Sequence, residues 1–197
     1  MAASIDLSTV DRVLDYGGDR GQFIPEGLGR ERVVYEFSGV EAVESVRGVT
    51  DLSALNGQRF DLVLVAHVLE HVSDPAGFLR TLGNESFAKD ALIYIEVPLE
   101  RPRFVGTLRG RLGGAWVGAL LRRPRALRAV QFYSTASRVA LNVVPPLGVT
   151  NVHEHLNFFD GGSLRSLLER LGFHVTQLRE VGATVRALAR LGGAAQT

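Results

Sequence analysis

The sequence predicts an α/β fold, a doubly wound, mostly parallel sheet with an antiparallel edge strand. Three observations carry this expectation. The apolar pair Val13-Leu14 runs through Asp15 into a glycine-rich turn, Tyr16-Gly17-Gly18-Asp19-Arg20-Gly21, which is the pattern of a first strand feeding a ligand-binding turn. The apolar run Phe60–Ala66 has the composition of a central parallel strand buried on both faces, and Ala91–Val97 reads as the next buried strand. Two alternating segments, Phe173–Val181 and Ala183–Leu191, flank Gly182 as an antiparallel pair would.

Taken in order, Arg12–Tyr16 is the first strand. Residues 21–29 form a short helix or turn, with Pro25 limiting its regularity. Arg32–Phe37 is the second strand, with Glu36 at its end. Gly39–Val46 carries Val40, Val43 and Val46 at helical spacing and reads as a short helix. Gly48–Asp51 is a short third strand, and Phe60–Ala66 is the central one. Asp74-Pro75 opens a helix, because Asp caps and Pro suits the first turn, and Gly83 closes it after Leu82. Ala91–Val97 is stopped by Pro98. Ser163–Leu171 is a helix with Leu164, Leu167, Leu168 and Leu171 on one face, ended by Gly172.

Composition narrows the function classes. With 197 residues, 46% of them apolar and 22% charged, the chain is long enough for one globular domain (residues 1–197) with a sizeable core. A net charge of +1 gives no global field, and no nucleic acid partner is expected. The absence of cysteine removes disulfides, thiolate metal sites and Cys nucleophiles, and fits a cytoplasmic location. The first eleven residues carry no basic start followed by an apolar run, so no secretory signal is expected. Residues 104–121 are the most apolar long segment, but Arg109 and Arg111 interrupt them, making a poor membrane span.

The glycine turn and Glu36 carry the chemistry. Gly17, Gly18 and Gly21 allow a tight turn and a close backbone approach to a ligand. Roughly twenty residues on, Glu36 can accept both hydroxyl hydrogens of a ribose. A dinucleotide site wants G-x-G-x-x-G. Counting from Gly17, Asp19 stands where the second Gly should be and Gln22 where the third should be. A pyrophosphate would then meet a carboxylate, which disfavours a nicotinamide oxidoreductase. A positively charged nucleoside without phosphates, such as a sulfonium, tolerates Asp15 and Asp19 far better.

Val13–Gly21 resembles the first motif of the class I S-adenosylmethionine-dependent methyltransferases, in which an acid precedes a G-x-G-x-G turn. Asp15, Gly17 and Gly21 match, and Asp19 replaces the middle Gly. Tyr35-Glu36-Phe37-Ser38 is similar to the segment whose acid binds the cofactor ribose. Asp51-Leu52 sits where an acidic residue commonly faces the adenine amine. Phe60-Asp61-Leu62-Val63, Ala66-His67-Val68-Leu69-Glu70-His71-Val72, Asp74-Pro75 and Phe78-Leu79 resemble the fourth-strand motif of the small-molecule branch. Ile95-Glu96-Val97-Pro98 matches the next strand end. His153-Glu154-His155-Leu156-Asn157-Phe158-Phe159, with Ser163-Leu164 and Leu171-Gly172-Phe173, resembles the region around the last helix.

The resemblance implies a Rossmann-like, seven-stranded sheet, S-adenosyl-L-methionine as cofactor and a small-molecule methyl acceptor, with saccharides or secondary metabolites favoured. The cofactor-binding residues it implies are Asp15, Gly17, Gly18, Asp19, Gly21, Glu36, Asp51, Leu52, Ala66 and His67. In the family an N-terminal segment covers the cofactor, and here it is short. Another chain then supplies the cover, as in a homo-oligomer, or the site is open, or the sequence is a fragment.

His155 or His153 is the candidate general base, since an imidazole can take a proton near neutral pH. Their His-x-His spacing lacks a Cys or a clear third ligand, and no metal is expected. Residues 101–150 form an arginine-rich helical insert with nine Arg and no Asp or Glu. Three readings stand. The insert is a lid that meets an anionic or carrier-linked acceptor, a segment that lies on an anionic membrane surface, or a solvated hairpin. The competing function is a catalytically degenerate methyltransferase fold that binds a partner or anionic surface through this insert.

Overall fold

The structure, a computed structural model, describes residues 7–99, 103–104, 110–141, 143–148 and 155–192. It divides into two compact units, residues 1–99 with 159–197, and residues 100–158.

The first unit is built on a seven-stranded sheet. Its strands are β1 (Arg12–Tyr16), β2 (Glu31–Tyr35), β3 (Arg47–Val49), β4 (Phe60–Ala66), β5 (Phe87–Pro98), β8 (Phe173–Val181) and β9 (Thr184–Leu191), in the order β3-β2-β1-β4-β5-β9-β8. Between β1 and β4 the strand order reverses direction, the position at which open α/β sheets bind ligands. Strands β3, β2, β1, β4 and β5 run parallel to one another. β9 is antiparallel to both β5 and β8, so the antiparallel strand lies one place in from the edge.

The two faces of the sheet are covered differently. On one, Leu14, Val33, Val63, Ile93 and Ile95 pack with Leu79 and Leu82 of α1 (Pro75–Ser86) and with Leu164 and Leu168 of α4 (Gly161–Arg170). Each such fully buried leucine contributes about 1.5–3 kcal/mol. On the other face, Val13, Val34, Leu62 and Leu92 pack with Val10, Ile24 and Val46, which come from loops. No α-helix among the described residues of this unit covers that second face.

Local chemistry explains the helix ends. The Asp74 carboxylate accepts from the Gly77 N–H at 2.9 Å with Pro75 at the first position, as the sequence predicts. The helix runs through Gly83 to Ser86, because Leu82 and Ser86 keep its buried face going. α4 is capped by Asp160. The Asp160 carboxylate accepts from the Ser163 N–H at 2.7 Å, and the Ser163 hydroxyl accepts from the Asp160 N–H at 2.9 Å, a reciprocal capping box.

The helix expected over Gly39–Val46 does not form. Eight residues with three valines make a marginal helix, and the glycine-turn loop supplies other partners. The Val43 N–H donates to the Arg20 carbonyl at 3.0 Å, and the Arg20 guanidinium donates to the Glu41 carbonyl at 3.0 Å.

The second unit contains β6 (Arg103–Phe104), α2 (Gly110–Leu121), α3 (Pro124–Leu141) and β7 (Val143–Val144), with β6 parallel to β7. Trp116 on α2 donates its indole N–H to the Leu147 carbonyl at 3.0 Å. On α3 the buried Ser134 hydroxyl donates to the Val130 carbonyl at 2.7 Å. Among the described residues no helix is long and apolar enough to cross a membrane.

Candidate functional site

A cavity of about 700 Å³ opens in the first unit at the carboxyl ends of β1 and β4, within the usual range of about 300–1,000 Å³ for small-molecule sites. Its floor is the loop-covered face of the sheet. Asp15, Leu64, Tyr94 and Leu188 stand side by side across β1, β4, β5 and β9, and Ala66, Glu96 and Arg186 form the next row. Leu7, Phe23, Pro25 and Leu28 contribute the loop wall.

Six of the residues implied by the sequence line this cavity: Asp15, Gly17, Gly18, Asp19, Ala66 and His67. Asp15 is 2% exposed, and burial pushes its carboxyl up to about 6. Gly18 gives that carboxylate its room, since a Cβ there would lie 2.1 Å from Asp15 Cγ. Gly17 has φ +73° and donates its N–H to the Tyr35 carbonyl at 2.8 Å, tying the turn to the end of β2. Asp19 also has positive φ (53°), a conformation that Asp adopts more readily than most residues. Its carboxylate accepts from the Gln22 amide at 3.1 Å.

His67, directly after β4, has φ 56° and donates its backbone N–H to the Glu96 carbonyl at 2.8 Å. Its Nδ1 lies 3.3 Å from Oε1 of Glu70. Glu70 is 1% exposed, and its other oxygen, Oε2, has no hydrogen-bond partner among the described residues.

The remaining implied residues lie outside the cavity lining. Gly21 is buried with φ +74°, and a Cβ there would come within 2.8 Å of Val46 Cγ1. It lets the turn pack down on Val34 and Val46. Glu36 follows β2, half-buried, and accepts from the Ser38 N–H at 3.0 Å. Asp51 caps the 3₁₀ turn Leu52–Leu55 by accepting from the Ser53 N–H at 2.9 Å, a bond that lowers its carboxyl. Leu52 is exposed on that turn. His155 is half-buried in the second unit, and His153 lies outside the described residues.

The structure adds a cluster not proposed from sequence as a site. The Tyr94 hydroxyl donates to Glu96 Oε2 at 2.5 Å, and Arg186 grips both Glu96 oxygens at 3.1 Å. Burial, helped by Glu96, pushes the Tyr94 hydroxyl up to about 12. For Glu96 burial acts upward, but Tyr94 and Arg186 outweigh it and hold the carboxyl below its ordinary value. The available signal was two polar residues, Tyr94 and Glu96, two apart on an otherwise apolar strand and hence on one face. The cavity therefore combines a mostly apolar lining with three carboxyl groups (Asp15, Asp19, Glu96) and one guanidinium, a setting that suits a ligand with an apolar body and positive charge.

Over residues 2–178 the chain matches the family model described as a methyltransferase domain. Among solved structures it is similar to Burkholderia thailandensis 1,6-didemethyltoxoflavin-N1-methyltransferase with bound 1,6-didemethyltoxoflavin and S-adenosylhomocysteine. That pair is 19% identical with a TM-score of 0.57, over 92% of this chain and 71% of that one. It is similar also to human N-acetylserotonin methyltransferase in complex with SAM, at 16% identity and a TM-score of 0.57, over 96% of this chain and 50% of that one. A third structure, the DhpI–SAH complex, is 14% identical with a TM-score of 0.54, over 92% of this chain and 77% of that one. No curated protein matches the chain. The chain belongs to the methyltransferase-domain family and has the Rossmann-like fold of the class I S-adenosylmethionine-dependent methyltransferases.

Proposed function

We propose that the chain transfers a methyl group from S-adenosylmethionine to a small molecule, with saccharides and secondary metabolites the favoured acceptor classes. The observation that supports this most is the buried Asp15 carboxylate set beside Gly18 at the switch point between β1 and β4. A nucleoside with a positive charge suits that place, because its cation offsets the cost of an ionised carboxylate held out of water. S-adenosylmethionine supplies an electrophilic methyl on a sulfonium. The residues hold and orient. Asp15 and Asp19 face the positive groups, and Gly17 and Gly18 let the backbone approach. Ala66 and His67 border the cavity from β4. In this reading Glu36 takes the ribose hydroxyls, Asp51 and Leu52 meet the adenine, and Gly21 acts by packing the turn.

The direct test is calorimetry. S-adenosylmethionine and S-adenosylhomocysteine are expected to bind and NAD is not. Absence of binding by both nucleosides at about 1 mM, an affinity weaker than roughly −4 kcal/mol, overturns the enzyme reading. That result would favour the second reading, a degenerate module that binds partners through the arginine-rich insert. Its motive is Asp19 in place of the middle glycine.

His155 and His153 stand as the proposed bases for a hydroxyl or amine acceptor. Replacing His155 by Ala is expected to lower turnover more than cofactor affinity. Unchanged turnover in both His155→Ala and His153→Ala removes them from the mechanism.

A further inference from the structure

We propose that α2 and the start of α3 dock onto an anionic lipid surface. This goes beyond the methyl-transfer reading and does not rest on it.

From Leu112 to Leu121 every side chain is apolar, apart from the indole N–H of Trp116, which is already bonded within the unit. In a water-facing helix such a run would normally be buried. Here Leu120 is buried, while Leu112 is 69%, Val117 42% and Leu121 64% exposed. Arg122, Arg123, Arg125 and Arg128 follow at once, all exposed. On α3, Arg125, Arg128 and Phe132 are spaced three and four apart, so they share a face, and Phe132 is 78% exposed. Residues 101–150 hold nine arginines and no acidic residue.

Charge and hydrophobicity together select the occupant. A soluble anionic ligand would use the arginines but leave the exposed apolar side chains of α2 in water. A second copy would cover α2 but set one arginine-rich segment against another. An anionic bilayer accepts both, with leucine, valine and phenylalanine at the acyl boundary and guanidinium groups among the headgroups. Twelve residues of helix span about 18 Å, short of the roughly 30 Å hydrocarbon core. α2 therefore lies along the surface.

The test is co-sedimentation of the full chain with vesicles of phosphatidylcholine alone or with about 30% phosphatidylglycerol. Trp116, the only tryptophan, gives a second readout through a blue shift of its emission. Binding is expected to the anionic vesicles alone and to weaken with salt. Changing Arg122, Arg123 and Arg125 together to Gln should weaken it about 100-fold, from about 1 kcal/mol per residue. Changing Leu112 and Leu121 together to Gln should weaken it and reduce the blue shift. Circular dichroism of each variant checks folding. Binding to neither vesicle, or equally to both, overturns the proposal. So does self-association by sedimentation velocity that the leucine changes abolish in a chain that ignores vesicles. S-adenosylhomocysteine calorimetry on the same preparation reads the methyl-donor site separately, so failure of one reading is distinguishable from failure of the other.

Discussion

At pH 8, Asp15→Asn is expected to make the protein more stable, by up to about 3 kcal/mol, while weakening S-adenosylmethionine binding tenfold or more. The sign follows from burial. The carboxyl moves from 3.8 in the unfolded chain to about 6 in the folded one. Below pH 4 both states hold the proton, and Asp15 contributes no difference. Between those values the folded state holds a proton that the unfolded state has released, so stability falls as pH rises. Above 6 the full cost of a buried carboxylate is present, and an uncharged Asn escapes it. Urea unfolding at pH 8 and pH 4 checks this, since the advantage should vanish at the lower pH. The ligand is expected to reverse the preference, because in the proposed site its positive charge favours the ionised carboxylate. Affinity of the unaltered protein should rise with pH from 4 to 6, with proton release that calorimetry detects in buffers of different ionisation enthalpy. Equal stability at pH 8, or equal affinity, would remove Asp15 from this role.

The second large effect is expected at Gly18. Its φ lies outside the left-handed region, so the backbone accepts alanine. The added Cβ would sit 2.1 Å from both Cγ and Oδ2 of Asp15 and 2.5 Å from Oδ1. The carboxylate must move off its position. Gly18→Ala should therefore change unfolding free energy by no more than about 1 kcal/mol, yet reduce cofactor affinity at least tenfold, about 1.4 kcal/mol. Gly17→Ala makes the contrast. There φ is +73° and the new Cβ would be 2.8 Å from Val68 Cγ2, so the fold itself should weaken. Calorimetry and denaturation on both variants separate the two outcomes. A Gly18→Ala protein that binds S-adenosylmethionine like its parent would sink the prediction.

The parts of this fold legible in the sequence are those whose burial is nearly complete. Phe60–Ala66 has the expected boundaries because a central strand must be apolar on both faces. Gly39–Val46 misleads because valines three apart fit a helix by spacing, while the partner that settles the backbone, Arg20, stands 21 residues before Glu41. Gly21 carried an ambiguity that spacing does not resolve, since a turn at a ligand and a turn packed on Val46 both require glycine. The family resemblance implies Asp51 as a ligand acid, and in the structure its carboxylate caps a 3₁₀ turn. The Tyr94–Glu96–Arg186 cluster escaped because periodicity assigns residues to a face without saying which strand lies alongside.

That last contact bears on the order of assembly. Arg186 meets Glu96 across 90 residues of chain, and β9, which carries Arg186, slots between β5 and β8. During synthesis, β1 to β5 leave the ribosome well before this strand does. A sheet with its fourth floor strand still missing lacks the part of the cavity floor that Arg186 and Leu188 form. If the methyl donor binds in this cavity as proposed, it is expected to meet a finished seat only once residues 184–191 have emerged. Closure of the cavity is a long-range event, and it should be among the slow steps of folding.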